Sequence, residues 1–213
     1  MVCFEWWAFE ILAVFSGYIS IPALASEVII VNIVSFLFMM PLGISFSASS
    51  LTGYYIGQGK VRLAKRFALL TILLNLILST FIILLMSLYK DSLAHLFSED
   101  PEIIKIVQDM MWIVQFYIFV DGIHGVQSGI IRGIGKQFYG SILTLVCYYL
   151  IGMPLALGFA FKFKMGIEGL WVGFTIASIL LDISFYMLIR CTNWNRHNDG
   201  LLDDRARCYQ SLS

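Results

Sequence analysis

Apolar residues run along this chain in long blocks separated by short polar links. Six blocks reach the ~20 mostly apolar residues that a membrane-crossing helix needs. They are Met1–Ile21, Val28–Ser50, Phe67–Tyr89, Ile103–Ile131, Phe138–Phe161 and Gly166–Ile189. The fourth is long enough to tilt or to extend beyond the bilayer. After Arg190 the pattern changes to a charged stretch rich in Asn, Asp and Arg, which reads as an exposed, poorly ordered tail. The expectation is an all-α, multi-pass transmembrane helical bundle over residues 1–190, followed by a polar tail over 191–213.

Composition supports a bilayer as the solvent. Of 213 residues, 59% are hydrophobic and only 13% charged, and the mean hydropathy is +0.83. A soluble domain carries about 25% charge, because its surface must meet water. Net charge is zero, so no basic field exists to attract nucleic acid. Cys3 and Cys147 fall inside apolar blocks, and Cys191 and Cys208 lie near or in the tail. Their spacing suggests neither a zinc site nor a disulfide framework. The first block has neither the basic flank nor the cleavage site of a signal peptide.

Lys and Arg in the links orient the bundle. Lys60, Arg62, Lys65, Arg66, Arg132, Lys136, Arg190, Arg196, Arg205 and Arg207 fall on one side, against Lys90, Lys105, Lys162 and Lys164 on the other. The second side also holds the acidic run around Glu99, Asp100 and Glu102. Both termini are therefore expected to be cytoplasmic, in an integral membrane protein with no readable address for plasma or organelle membrane. The first apolar block starts with no polar flank, which makes the chain look like the later part of a larger protein.

Acids inside the blocks are the candidate chemistry. A carboxylate at membrane depth costs a few kcal/mol or more, so such groups face a bundle interior or a wet cavity. Glu5, Glu10, Asp121 and Asp182 all lie in apolar blocks. Glu5 and Glu10 are five apart, about 140° on a helix, so they point to different neighbours. A carboxylate withdrawn from water holds its proton more tightly, and repeated on several helices this is the chemistry of proton coupling. His124 follows Asp121 by three residues and shares its face. The pair reads either as a proton relay or as a cross-bundle hydrogen bond.

Gly125, Gly129 and Gly133 give two overlapping GxxxG spacings, a sign of close helix contact. Asn32, Gln127, Tyr148 and Tyr149 add hydrogen-bonding groups, and Pro41 and Pro154 leave carbonyls without their helical partner. Phe4, Trp6, Trp7 and Phe9 read either as an aromatic surface for organic cations or as interfacial anchors. No G-x-x-x-x-G-K-[ST] loop, metal-ligand cluster or nucleophile elbow occurs, and nothing in the sequence suggests an enzyme.

As a set, "CFEWWAFEILAVFSGYI", "MMPLGISFSASSLTGYYIGQGKVRLAKR", "DGIHGVQSGIIRGIGKQ", "YYLIGMPLALGF" and "GIEGLWVG" resemble the second half of eukaryotic multidrug and toxic compound extrusion (MATE) transporters. Their order fits helices seven to twelve of that twelve-helix fold. The resemblance implies that six helices form one lobe of a two-lobe transporter whose central cavity alternates between membrane faces. It implies an antiporter that exports organic cations, xenobiotics or metabolites in exchange for protons or sodium, with no other cofactor.

Carried over by position, the resemblance assigns cation coupling and substrate binding to Glu5, Glu10 and Asp121, and places Asn32 where some members have glutamate. His124 stands where glutamine is common. Helices one to six have no counterpart here. The implied partners are a small, cationic organic substrate, the lipid bilayer, and a missing amino-terminal lobe or a second chain. The alternatives are a truncated or partner-dependent subunit without transport of its own, and a lipid flippase of the wider superfamily.

Overall fold

The computed structural model describes residues 2–192 and residue 194. Six helices account for it: α1 (Val2–Ile19), α2 (Ile21–Gly57), α3 (Val61–Phe97), α4 (Pro101–Gly133), α5 (Gln137–Lys162) and α6 (Gly166–Cys191). No strand occurs among the described residues. By length and composition five are fit to cross a membrane: α2, α3 as far as Lys90, α4, α5 and α6. The first block also forms a helix, whose 18 described residues extend about 27 Å, within the length range of membrane-crossing helices. Of the tail, only Cys191, Thr192 and Trp194 are described; the rest of 191–213 lies outside the described residues.

The helices start and stop where local chemistry directs. α2 begins immediately after α1, because Ser20 is extended and its side chain accepts a bond from the Ala23 N–H at 3.1 Å. Pro22 then stands in the first turn, where its missing N–H costs nothing. Residues 22–27, a link by the pattern of apolar blocks, are thus helical. Asp100 caps α4 in the same way, accepting from Glu102 N–H at 2.9 Å, with Pro101 behind it.

α2 and α4 end identically. Gly59 and Gly135 take positive φ (75° and 72°), while Lys60 and Lys136 N–H reach back five residues to Tyr55 and Ile131 carbonyls. This Schellman geometry needs a residue tolerant of the left-handed region, which explains the two G-x-G-K links. α3 kinks at Tyr89 (φ −111°, ψ 17°), one residue before its apolar span ends.

α5 is not a plain α-helix. Val146–Gly152 and Gly158–Lys162 are π-helical, flanking an α-helical turn at Met153–Leu157. The Met153 N–H bonds back five residues to Tyr148 O. Pro154 has no N–H to continue an i→i−4 ladder, and the register shift beside it is a recognised way of absorbing that loss. Pro41, by contrast, sits buried inside a continuous α2.

α4 is the central helix, buried along most of its length and packed against α2, α3 and α6. The GxxxG spacing does what the pattern predicts. A Cβ at Gly129 would collide with the Ser45 carbonyl, and one at Gly133 would lie 2.7 Å from Ser49 O. A second small-residue seam joins α6 to α5, where Gly169 and Gly173 press against the backbone of Ala160 and Ala156.

Candidate functional site

α4 carries its polar residues at the level where α1 crosses it. Asp121 and His124 are buried on one face of α4, and Glu5 of α1 comes to meet them. His124 Nε2 lies 3.2 Å from Glu5 Oε1, and His124 Nδ1 lies 3.6 Å from Asp121 Oδ1. The imidazole is wholly buried, with one carboxylate at each nitrogen. Neither contact is a formed hydrogen bond; the pairs are charge partners, within a small shift of proton exchange.

Neighbouring groups hold this trio. Tyr117 donates to Asp121 Oδ1 at 2.8 Å from the preceding turn of α4. Tyr148, beside His124 at 6.4 Å between ring centroids, shares a hydrogen bond of 3.2 Å with Ser178. Tyr149 donates to the Phe4 carbonyl at 2.9 Å, tying α5 to α1 one residue before Glu5. Asp182 of α6 has a buried oxygen without a hydrogen-bond partner and lies within electrostatic reach of His124. A cavity of about 20 Å³ opens beside the trio, lined by Glu5, Phe9, Phe38 and Asp121 among others. That space holds about one water molecule.

The predicted residues therefore divide. Glu5, Asp121 and His124 form one cluster, and Tyr148 and Tyr149 support it. Glu10 and Asn32 lie on exposed faces of α1 and α2, as the 140° offset from Glu5 requires for the first. Around them are Trp6, Trp7, Val14, Val28 and Phe36, all exposed. The aromatic quartet also splits: Phe9 packs inward against Tyr117, Trp171 and Phe174, while Trp6 and Trp7 face outward.

One acid escapes the pattern of apolar blocks. Glu27 is fully buried and accepts a 2.7 Å bond from Trp171 Nε1, with its other oxygen unpartnered. Its position in "LASEVII", taken as a link, concealed it; the signal available was a lone acid with apolar residues on both sides. Trp171 in turn packs edge-on against Tyr117, with ring centroids 5.3 Å apart. Glu27 is thereby joined through two aromatic rings to Asp121.

The family model described as MatE matches residues 1–157. The chain belongs to the MatE family. It is 33% identical over 196 residues to Multidrug and toxin extrusion protein 1 of Danio rerio, covering 92% of this chain and 33% of that protein. It is 30% identical over 211 residues to Protein DETOXIFICATION 12 of Arabidopsis thaliana, covering 98% of this chain and 44% of that one.

The crystal structure of the eukaryotic MATE transporter AtDTX14 superposes with a TM-score of 0.89 at 27% identity, over 95% of this chain and 46% of that one. A further MATE transporter in an outward-facing conformation shares the fold (TM-score 0.82, 15% identity). This MatE-family chain thus spans between a third and a half of the proteins it matches. Its membrane-embedded helical lobe is the fold expected from sequence.

Proposed function

We propose that this MatE-family chain forms the cation-coupling lobe of an antiporter that exports small organic cations in exchange for protons. The observation that carries the reading is the buried Glu5–His124–Asp121 cluster. Two carboxylates share an imidazole out of water, with room for a single water molecule beside them. Such a set favours the proton over sodium, which prefers an all-oxygen shell to an imidazole nitrogen. Loading a proton there changes the charge buried between α1 and α4, and so the relative energy of conformers that pack those helices differently. The exposed Glu10 and Asn32 support a second part of the reading, that the α1–α2 face borders the substrate cavity and meets another lobe. The Lys and Arg distribution supports cytoplasmic termini.

The test is proton-gradient-driven efflux of a fluorescent organic cation from vesicles bearing the chain as its own locus produces it. Asp121→Asn is expected to abolish gradient-driven efflux while leaving the amount of folded protein unchanged. Wild-type efflux in that variant would sink the role given to Asp121. Efflux driven equally well by a sodium gradient would overturn the choice of coupling ion.

A further inference from the structure

At the basic end of the bundle, away from the acidic cluster, a groove of about 380 Å³ runs between α3, α4 and α6. Its walls are apolar: Leu69 and Ile72 of α3, Ile130 of α4 and Ile189 of α6. Lys65 and Arg190 also line it, and among the described residues neither is paired with a carboxylate. Aromatic rings hold both cations in place. Lys65 Nζ lies 5.6 Å from the Trp194 ring centroid, and Arg190 Cζ lies 5.8 Å from that of Tyr186. On the inner wall Gln127 is 6% exposed, and its Oε1 has no hydrogen-bond partner.

We propose that this groove binds an anionic phospholipid, its phosphate between Lys65 and Arg190 and an acyl chain along the α3–α4–α6 wall. The inference goes beyond transport and needs only the membrane embedding of the lobe. Three features select this occupant. The groove opens on helices that cross the bilayer, so its apolar wall meets acyl chains. The segments forming this end, 45–72, 125–149 and 183–192, contain no Asp or Glu, so every charge they contribute is positive. Basic pockets between transmembrane helices are known to take anionic headgroups.

The experiment measures retention of phosphatidylserine and phosphatidylcholine on the purified full chain by native mass spectrometry, across a lipid titration. Phosphatidylserine is expected to bind in preference to phosphatidylcholine. Lys65→Gln with Arg190→Gln should weaken it about 30-fold, each basic residue near an anionic headgroup contributing about fivefold. Lys60→Gln with Arg62→Gln removes the same charge from the same end but outside the groove lining, and should leave binding within about twofold of wild type, less than one headgroup contact contributes. Equal losses in the two pairs, or equal retention of the two lipids, would overturn the proposal. So would complete displacement by millimolar inorganic phosphate, which would make the groove a phosphate site without a lipid tail.

The chain beyond residue 194 carries Asp199, Asp203 and Asp204. A several-fold gain of phosphatidylserine on deleting 195–213 would identify those carboxylates as the occupant instead. If the paired charge variants do not fold, Leu69→Trp decides. It fills an exposed wall and keeps both charges, so unaltered retention in that variant overturns the site.

Discussion

Glu27 and His124 are both buried and both carry chemistry, yet their surroundings ask different things of them. Glu27 has one fixed partner, the Trp171 indole at 2.7 Å. A glutamine carbonyl can accept the same bond, so Glu27→Gln should leave the thermal midpoint in detergent nearly unchanged. Trp171→Phe keeps a ring but strips the donor, and a buried polar atom left unsatisfied costs about 1–3 kcal/mol. The midpoint should then fall clearly. Equal midpoints for the two variants would mean the hydrogen bond does not hold α2 to α6. His124 instead has two charge partners, and glutamine can touch both without exchanging a proton. His124→Gln should therefore fold normally and lose gradient-driven efflux by about 5- to 150-fold, the usual span of a coupling energy. Undiminished efflux would leave His124 as packing alone.

At the scale of elements, the two G-x-G-K turns and the glycine seam of α4 do separate jobs and should fail separately. Gly135 holds a left-handed turn, and an alanine there costs about 1–2 kcal/mol. Gly129 holds α4 against the Ser45 carbonyl, where a methyl group meets backbone that cannot swing away. Gly129→Ala should cost at least the ~1–3 kcal/mol of overpacking and lower the folded yield more than Gly135→Ala, as read by the monodisperse peak in size exclusion. The reverse order would place the critical approach elsewhere.

Much of this level was legible in advance. Apolar blocks report the bilayer directly, and glycines spaced by four report close backbones, so the helices and a close approach along α4 follow from the sequence, though not that α2 is the partner. The acid offset of Glu5 and Glu10 likewise follows from helical rotation. Three things were not legible. The α1–α2 junction is a single extended residue, Ser20, too short to interrupt a hydropathy pattern. The π-helical register of α5 depends on which carbonyl each N–H chooses, and composition does not encode that choice. The third, the meeting of Glu5 with His124, joins residues 119 positions apart and depends on how α1 packs across α4.

For the whole molecule, the two sides of the bundle are both apolar, and chemistry rather than hydropathy separates them. α3 exposes Leu69, Leu73, Leu74, Ile77 and Leu84, with no charged residue from Phe67 to Tyr89, as a lipid-facing helix requires. The α1–α2 face exposes aromatics as well, but with Glu10 and Asn32 among them at membrane depth. Placing those groups against acyl chains would leave them without partners. On the proposed function, an aqueous cavity on this face satisfies them. Single cysteines in a background lacking the native ones distinguish the two sides. Asn32→Cys and Phe36→Cys should react with a water-soluble maleimide in intact membranes, whereas Leu74→Cys and Ile77→Cys at comparable depth should not. Silence at positions 32 and 36, with reaction at both after detergent extraction, would put the α1–α2 face in lipid and remove the cavity on which the transport proposal depends.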